Sequence, residues 1–220
     1  MAITSGRPRS GRCLLLHDID WSTYSRLLRV FAERSSMRLT YDRGALEIMA
    51  PLHEHESDAD FLGRLVVVLT EELGLPIKAG GSTTLRRRRR RRGLEPDRCY
   101  WIVHEPQVRG KRRIDLRTDP PPDLAIEVDV PHSSLDRMAI YAALGVPEVW
   151  RRDTAGLTFT MLGSDGACHD SGHSQAFAFV TPADLTRVIA QRAGMDENAV
   201  VVEFRKWVQQ RKAGTGTPAP

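Results

Sequence analysis

The chain has 220 residues, of which 41% are hydrophobic and 27% are charged. This composition excludes wholesale disorder and predicts a single globular domain with a substantial core. The formal net charge is +4, but the seven consecutive arginines at 86–92 carry more than this excess, so the positive charge is concentrated in one segment. Such a segment attracts polyanions such as nucleic acid, or an anionic membrane surface.

Cysteine usage and hydropathy indicate the cellular compartment. The three cysteines are widely spaced and form no C-x-x-C pair for zinc or a redox disulfide, which fits a reducing environment. The apolar run at 13–16 is too short for a signal peptide or a membrane span. We therefore expect a cytoplasmic protein that makes no use of a membrane.

The predicted elements begin after residues 1–12, a segment rich in Gly, Ser, Arg and Pro that we expect to be flexible. Asp20 is the expected N-cap of a first helix that covers about 20–34. Residues alternate in character on either side of the turn at 42–44, which contains a glycine and predicts a β-hairpin. An amphipathic stripe over about 54–73 predicts a second, longer helix.

The middle of the chain has the character of a sheet. An extended basic segment ending at residue 92, an apolar run at 99–103 and the segment 121–130 are typical of strands. Ser133 or Ser134 is expected to cap a helix that a glycine ends at position 145. The stretches "PEVWRRD" and "GLTFTML" then predict a further pair of strands.

The chain closes with two weaker helices, one opened by "TPADL" and one over about 196–212, which we expect to cover one edge of the sheet. Residues 213–220 are expected to form a flexible tail, which leaves one domain at 13–212. The order of elements predicts a mixed α/β (α+β) fold.

Three carboxylates lie on the strand predicted at 121–130. Side chains alternate along a strand, so Asp123, Glu127 and Asp129 would share one face. Carboxylates placed side by side repel one another unless they are protonated, paired with cations or bound to a metal, and oxygen ligands of this kind suit Mg²⁺ or Mn²⁺. The spacing alone leaves open a second interpretation, in which this face is simply solvated.

Two stretches of the chain resemble a known family. "GLEPDRCYW" and "PPDLAIEVDVPHSSLDRMAIYAALGVPEVWRRD" are similar to the Uma-type restriction endonuclease family, a bacterial group within the PD-(D/E)XK nuclease superfamily, and the resemblance covers roughly residues 37–153. It implies a restriction-endonuclease-like core, in which helices flank a mixed β-sheet. It also implies a divalent metal held between acidic residues of adjacent strands.

The resemblance assigns roles to individual residues. Asp97 of "EPD" would be the first metal ligand and Glu127 of "IEVD" the second, with Asp123 of "PPD" beside them. Glu56 would be a secondary candidate, because the superfamily often has a glutamate on the helix that precedes these strands.

One feature departs from the superfamily motif. The lysine expected two residues after Glu127 is replaced by Asp129, and where many relatives have a lysine on the next helix this chain has Arg137, four residues before Tyr141. Arginine can stabilise phosphate charge, but its pKa is too high for it to transfer protons.

The resemblance therefore implies a Mg²⁺- or Mn²⁺-dependent DNA endonuclease that hydrolyses phosphodiester bonds, with Arg137 offsetting charge on the phosphate. A homodimer is expected, as in many nucleases that cut both strands. The alternative is a catalytically degenerate nucleic-acid-binding protein that keeps the nuclease fold.

The arginine run has its own prediction. In an extended segment, side chains on one face would contact phosphates and those on the other would pair with acidic groups. The expected nucleic-acid contacts are Arg86, Arg88, Arg90 and Arg92. The alternative is a solvated loop whose arginine stems cover apolar surface.

Overall fold

A computed structural model of the protein describes residues 13–32, 37–50, 53–128 and 133–214, with the backbone alone described at 53–55 and 214. Its helices are α1 (Trp21–Val30), α2 (His53–Leu73), α3 (Glu105–Val108), α4 (Arg137–Leu144), α5 (Pro182–Ala190) and α6 (Glu197–Gly214). Its strands are β1 (Cys13–Leu16), β2 (Arg38–Asp42), β3 (Ala45–Met49), β4 (Lys78–Ala79), β5 (Leu85–Arg87), β6 (Arg92–Leu94), β7 (Arg98–Trp101), β8 (Leu124–Val128), β9 (Glu148–Asp153), β10 (Gly156–Leu162) and β11 (Cys168–Ser171).

The strands form two sheets. The first sheet has the order β1-β3-β2-β6-β5 and is antiparallel throughout. The second sheet has the order β11-β10-β9-β8-β7-β4, and within it β8 and β9 are parallel while the other pairs are antiparallel. Helix α4 provides the crossover between β8 and β9, as a parallel pair requires. The predicted mixed α/β class is confirmed.

Strand β8 lies at the centre of the second sheet and is buried on both faces. On one face Leu124 and Ile126 pack against α2, and α6 covers that helix in turn. On the other face Ala125 packs in a second cluster with Tyr141 of α4. The second interpretation, in which one face of this strand is solvated, is therefore wrong for Leu124–Val128, because helices cover both sides of the strand.

Local capping chemistry explains several helix ends. Asp20 caps α1 as predicted, since its carboxylate accepts a hydrogen bond from the Thr23 amide at 2.7 Å. Helix α1 ends at Val30, before the predicted end near residue 34. Gly145 ends α4 as predicted, with a φ of 81° that favours glycine. Glycine also occupies the predicted hairpin turn between β2 and β3.

The start of α4 differs from the prediction. Asp136 is the N-cap and accepts a hydrogen bond from the Ala139 amide at 3.0 Å. The Ser133 hydroxyl and the Ser134 amide instead donate to Glu47 of β3, at 3.1 and 2.8 Å. A tertiary partner thus takes the Ser133 hydroxyl, one of the two side-chain groups that the sequence offered as caps, and also binds the backbone amide of Ser134.

The arginine run is not a single extended segment, so this prediction is wrong. The chain turns back through a short 3₁₀ segment at Arg88–Arg90, and Arg91 adopts a left-handed φ of 50°. Strands β5 and β6 then pair, which places Leu85 opposite Leu94 with both side chains fully buried. Burial of these flanking leucines favours the reversal.

The ends of the chain are only partly described. Residues 1–12 and 215–220, which include most of the two predicted flexible segments, lie outside the described residues. In the described part of the chain no helix combines the length and the apolar character that crossing a membrane requires.

Candidate active site

Two of the predicted carboxylates come together on neighbouring strands. Strands β7 and β8 pair antiparallel with Arg98 opposite Ile126, so Asp97 lies in register with Glu127 at the end of the ladder. Oδ2 of Asp97 accepts a hydrogen bond from the Val128 amide at 2.8 Å, which extends the pairing past the last strand residue. Cross-strand partners of this kind have Cα atoms about 5 Å apart.

Helix α4 supplies the immediate partners of Glu127. Arg137 and Tyr141 are four residues apart, so both side chains project from the same face of the helix. Nη2 of Arg137 donates to Oε1 of Glu127 at 2.5 Å, and the Tyr141 hydroxyl donates to the same oxygen. Arg137 also donates to the Thr40 hydroxyl at 2.5 Å and to the Glu95 carbonyl at 3.1 Å, which links both sheets at this point.

Burial controls the electrostatics of this group. Glu127 is 3% exposed, and burial together with the charge of Asp97 raises its pKa to about 7, against the opposing effect of Arg137. Burial also raises the pKa of the Tyr141 hydroxyl well above its usual range, so this group remains a donor. Nε of Arg137 is buried with no hydrogen-bond acceptor among the described residues.

Two glutamates near this point were not anticipated from the sequence. Glu95 accepts from the Leu39 amide at 3.0 Å and from the Thr84 hydroxyl at 2.7 Å, so it joins β2 to the segment before β5. Glu47 is buried in β3 and holds the segment that precedes α4. The sequence signal for Glu47 was a carboxylate in the middle of the apolar strand "ALEIM".

Asp123 does not lie beside Glu127. Four residues of strand separate them, a distance of about 13 Å at the usual rise of a strand. The Asp123 carboxylate accepts hydrogen bonds from the amides of Ile102 and His104, at 2.6 and 3.0 Å, and contacts Nδ1 of His104 at 2.5 Å. It therefore fixes the loop after β7. Asp129 lies outside the described residues.

Glu56 occupies the first half of α2 and faces a cation of the first sheet. Its Oε1 lies 3.6 Å from Nη2 of Arg38, and its side chain is 47% exposed. This contact ties α2 to β2 and accounts for the position of Glu56 without a direct link to the carboxylate pair.

The carboxylate pair fits a hard divalent cation in ligand type and number. Mg²⁺ is commonly held by one or two carboxylates and completes its shell with waters and substrate phosphates, so Asp97 and Glu127 suffice. Across the described ranges no group of three or more His, Cys, Asp and Glu side chains could hold a metal. A closed structural zinc site is therefore not formed by these residues.

The four arginines expected to contact phosphates have different surroundings. Arg86 donates to the Ser25 hydroxyl at 3.3 Å, whereas Arg88 and Arg90 are exposed at the tip of the hairpin. Arg92 turns inward and contacts Asp42 at 2.8 Å and the Ala139 carbonyl at 2.9 Å.

The fold and the site define a mixed α/β protein with a carboxylate pair on adjacent strands and a buried arginine beside it. The family model Uma2, described as "Putative restriction endonuclease", matches residues 21–185, and the chain belongs to this family. The resemblance seen in the sequence is thereby confirmed, and membership in a nuclease family implies a nucleic-acid substrate.

Comparison with solved structures gives a match to the crystal structure of "a putative nuclease belonging to DUF820" from Anabaena variabilis. The two chains are 16% identical, the match covers 68% of this chain and 89% of the other, and the TM-score is 0.46. No curated protein matches the chain significantly.

Proposed function

We propose that this protein is a divalent-metal-dependent DNA endonuclease that hydrolyses phosphodiester bonds. The observation that carries the proposal is the cross-strand pairing of Asp97 with Glu127 beside Arg137. Membership in the Uma2 family supports it independently.

Asp97 and Glu127 would hold Mg²⁺ or Mn²⁺, which when bound polarises the scissile phosphate and lowers the pKa of a bound water. Tyr141 and Arg137 orient the Glu127 carboxylate and favour its ionised form. Arg137 also brings a positive charge to the site, which stabilises negative charge that develops on phosphate oxygens. The guanidinium remains protonated throughout, so proton transfer falls to water or to other groups.

The proposal gives no direct role to Asp123 or Glu56. The hydrogen bonds of Asp123 organise the loop after β7, and Glu56 pairs with Arg38 at the surface. Changing either residue to its amide should leave cleavage closer to wild type than the same change at Glu127.

Nicking of supercoiled plasmid tests the proposal. Glu127→Gln should abolish Mg²⁺- or Mn²⁺-dependent nicking, since the amide is a poor ligand for a hard cation. Glu148→Gln is a matched control, because Glu148 is also buried in the second sheet but lies on β9 among other partners. Circular dichroism would verify that both variants fold. Equal nicking by wild type and Glu127→Gln would refute the proposal.

A second candidate function is nucleic-acid binding without cleavage. The ion pair that Arg137 forms with Glu127, at a position where many relatives have lysine, favours this alternative. The Arg137→Lys variant distinguishes a nuclease from a protein that only binds nucleic acid. A nuclease limited by its arginine should cleave faster as the lysine variant, whereas a degenerate binder should bind DNA without metal and cleave in neither form.

Two further properties belong to the proposal. We propose that Arg86, Arg88 and Arg90 contact phosphates, with Arg92 retained as a structural residue because of its ion pair with Asp42.

We also propose a cytoplasmic homodimer, since two copies of a single active site can cut both strands. Light scattering of the purified protein would measure the number of chains.

A further inference from the structure

A cleft lined by cations lies outside the carboxylate site. It has a volume of about 620 Å³ and is enclosed by α1, the segment from β4 to β5, and the loop at 111–114. We call it the basic cleft. Its charged lining residues are Arg29, Lys78, Arg86, Lys111, Arg112 and Arg113.

The charge in the basic cleft is only partly neutralised. Lys111 pairs with Asp119 at 2.5 Å, and Lys78 donates to the Lys111 carbonyl at 2.8 Å. Arg112 and Arg113 form no ion pair with any acidic side chain of the described residues. The described residues that line the basic cleft include no Asp or Glu. Like charges gathered in a concave, partly apolar site raise the local concentration of an anion.

One lining hydroxyl also suits phosphate. The Thr83 and Thr84 hydroxyls donate to the Gly80 carbonyl and to Glu95, whereas the Ser25 hydroxyl accepts from Arg86 and keeps its hydrogen for a ligand oxygen. Proteins bind the nucleic-acid backbone through Arg, Lys and Ser side chains of this kind. Apolar walls from Leu28, Ile114 and the Trp101 indole lower the local polarity, which strengthens contacts between opposite charges.

The basic cleft and the carboxylate pair lie at opposite ends of strand β7. Trp101 lines the cleft and stands four residues after Asp97 along β7, on the same face of the sheet. The separation along the strand is about 13 Å. This corresponds to about four nucleotides of one strand of a duplex.

We propose that the basic cleft binds the phosphate backbone of nucleic acid and is the principal docking site for the polymer, a few nucleotides from the bond to be cut. The inference rests on the proposed function for the identity of the polymer. It concerns binding alone, so it can be tested without metal and without cleavage.

The test compares two double variants that each remove two positive charges. Arg112→Gln with Arg113→Gln changes the basic cleft, and Arg88→Gln with Arg90→Gln changes the hairpin tip. All four side chains are exposed, so both variants should fold. The affinity for a fluorescein-labelled DNA duplex is measured by anisotropy in EDTA over a range of salt concentrations, with melting curves as a check on folding.

The cleft variant should lose about tenfold or more in affinity, and the slope of log K against log salt should become shallower by about 2, the value for two lost phosphate contacts. The hairpin variant should lose less affinity, because exposed arginines at a hairpin tip attract a phosphate less strongly than cations gathered in a concave site do. Equal losses would mean that affinity follows net charge, and a larger loss in the hairpin variant would place docking elsewhere. Either result, or the absence of DNA binding by the wild-type chain, overturns the inference.

The proposed function can fail separately. If wild type binds DNA through the basic cleft but does not nick plasmid with Mg²⁺ or Mn²⁺, the inference stands and the endonuclease proposal fails. If nicking occurs while the cleft variant binds DNA normally, the endonuclease proposal stands and the inference about the basic cleft fails.

Discussion

Glu127 and Arg137 affect both the stability of the fold and the chemistry of the candidate site. Their side chains are 4% and 10% exposed, so both ions have lost nearly all contact with water. Such a loss costs several kcal/mol for each ion unless close partners compensate. Tyr141 and Thr40 add hydrogen bonds that supply part of this compensation, whereas Nε of Arg137 has no acceptor among the described residues. Breaking the pair is therefore costly even where its net contribution to folding is small.

Removing both members of the pair should therefore cost less than the two single removals together. We expect Arg137→Met to lower the free energy of unfolding by about 3–5 kcal/mol, because Glu127 is left buried without its cation and must either stay charged or bind a proton. The double variant Glu127→Leu with Arg137→Met should lose clearly less than the sum of the two single variants. Urea denaturation at neutral pH measures all four proteins, and additive losses would show that the two side chains are not coupled.

Glu148 offers a prediction about pH that is independent of the active site. Burial raises the pKa of Glu148 above its usual value of 4.5, although Trp150 and Ala176 donate hydrogen bonds to its carboxylate. The folded state then binds the proton more tightly than the unfolded state, so this residue favours folding most at low pH and less as pH rises above 4.5.

The measurement compares wild type with Glu148→Gln, which cannot ionise. The free energy of unfolding of wild type relative to the glutamine variant should decrease as pH rises from about 4.5 towards neutrality. A constant difference over that range would contradict the raised pKa.

Among the elements, those set by local chemistry were predictable from the sequence. Asp20, Gly44 and Gly145 each act within a few residues of their own position, and each has its predicted role. Ser133 and Ser134 were assigned wrongly because their partner, Glu47, is more than eighty residues away in the chain. Local patterns contain no information on such a partner.

The turn within the arginine run and the grouping of the site residues also depend on information that local sequence patterns do not contain. Seven identical residues contain no turn signal, and Arg91 adopts a backbone conformation more typical of Gly or Asn. Asp97 and Glu127 were identified through a family motif that already encodes the pairing of two strands. The same resemblance placed Asp123 beside them, and spacing put it on the face of Glu127, but its carboxylate contacts the loop that follows β7.

Helix α2 packs on β7 at Gly63, where the Tyr100 hydroxyl occupies the space that a Cβ atom would need. A Cβ atom added to Gly63 would lie 2.5 Å from the Tyr100 hydroxyl oxygen, and the next nearest atom of that ring would be 3.8 Å away. Gly63→Ala should therefore destabilise the protein by about 1–3 kcal/mol, as overpacking does.

Removing the hydroxyl gives the matched control for this prediction. In a Tyr100→Phe background the same Gly63→Ala change should be close to neutral or stabilising, because the contact is relieved and alanine favours the helix by up to about 1 kcal/mol. Urea denaturation of wild type, the two single variants and the double variant measures whether the destabilisation depends on the Tyr100 hydroxyl. Equal destabilisation in both backgrounds would place the clash elsewhere.

At the scale of the whole molecule, the two sheets have cores of different size and meet through both apolar and polar contacts. The second sheet shares a large apolar cluster with α2 and α6, whereas the first sheet packs a smaller one with α1, in which the Tyr24 and Tyr41 rings stack at 4.7 Å. At α4 the two sheets share an apolar cluster, which contains Leu85 and Leu94 of the first sheet and Ala125 of the second. Hydrogen bonds made by Glu47, Arg92 and Arg137 lie beside this cluster. The candidate site lies at this junction, so movement of the first sheet would alter it.

The smaller core, in which the first sheet packs on α1, should open before the larger one does. We expect amides of β2 and β3 to exchange with solvent at a lower free energy of opening than those of β8 and β9. Arg92→Gln removes the ion pair with Asp42 and should accelerate exchange in β2 and β3 while leaving β8 and β9 unchanged. Arg117→Gln breaks an exposed pair with Asp115 and is the control that should change neither. Hydrogen exchange with mass spectrometry reads both regions together, and a uniform acceleration in Arg92→Gln would mean that the two sheets unfold as one cooperative unit.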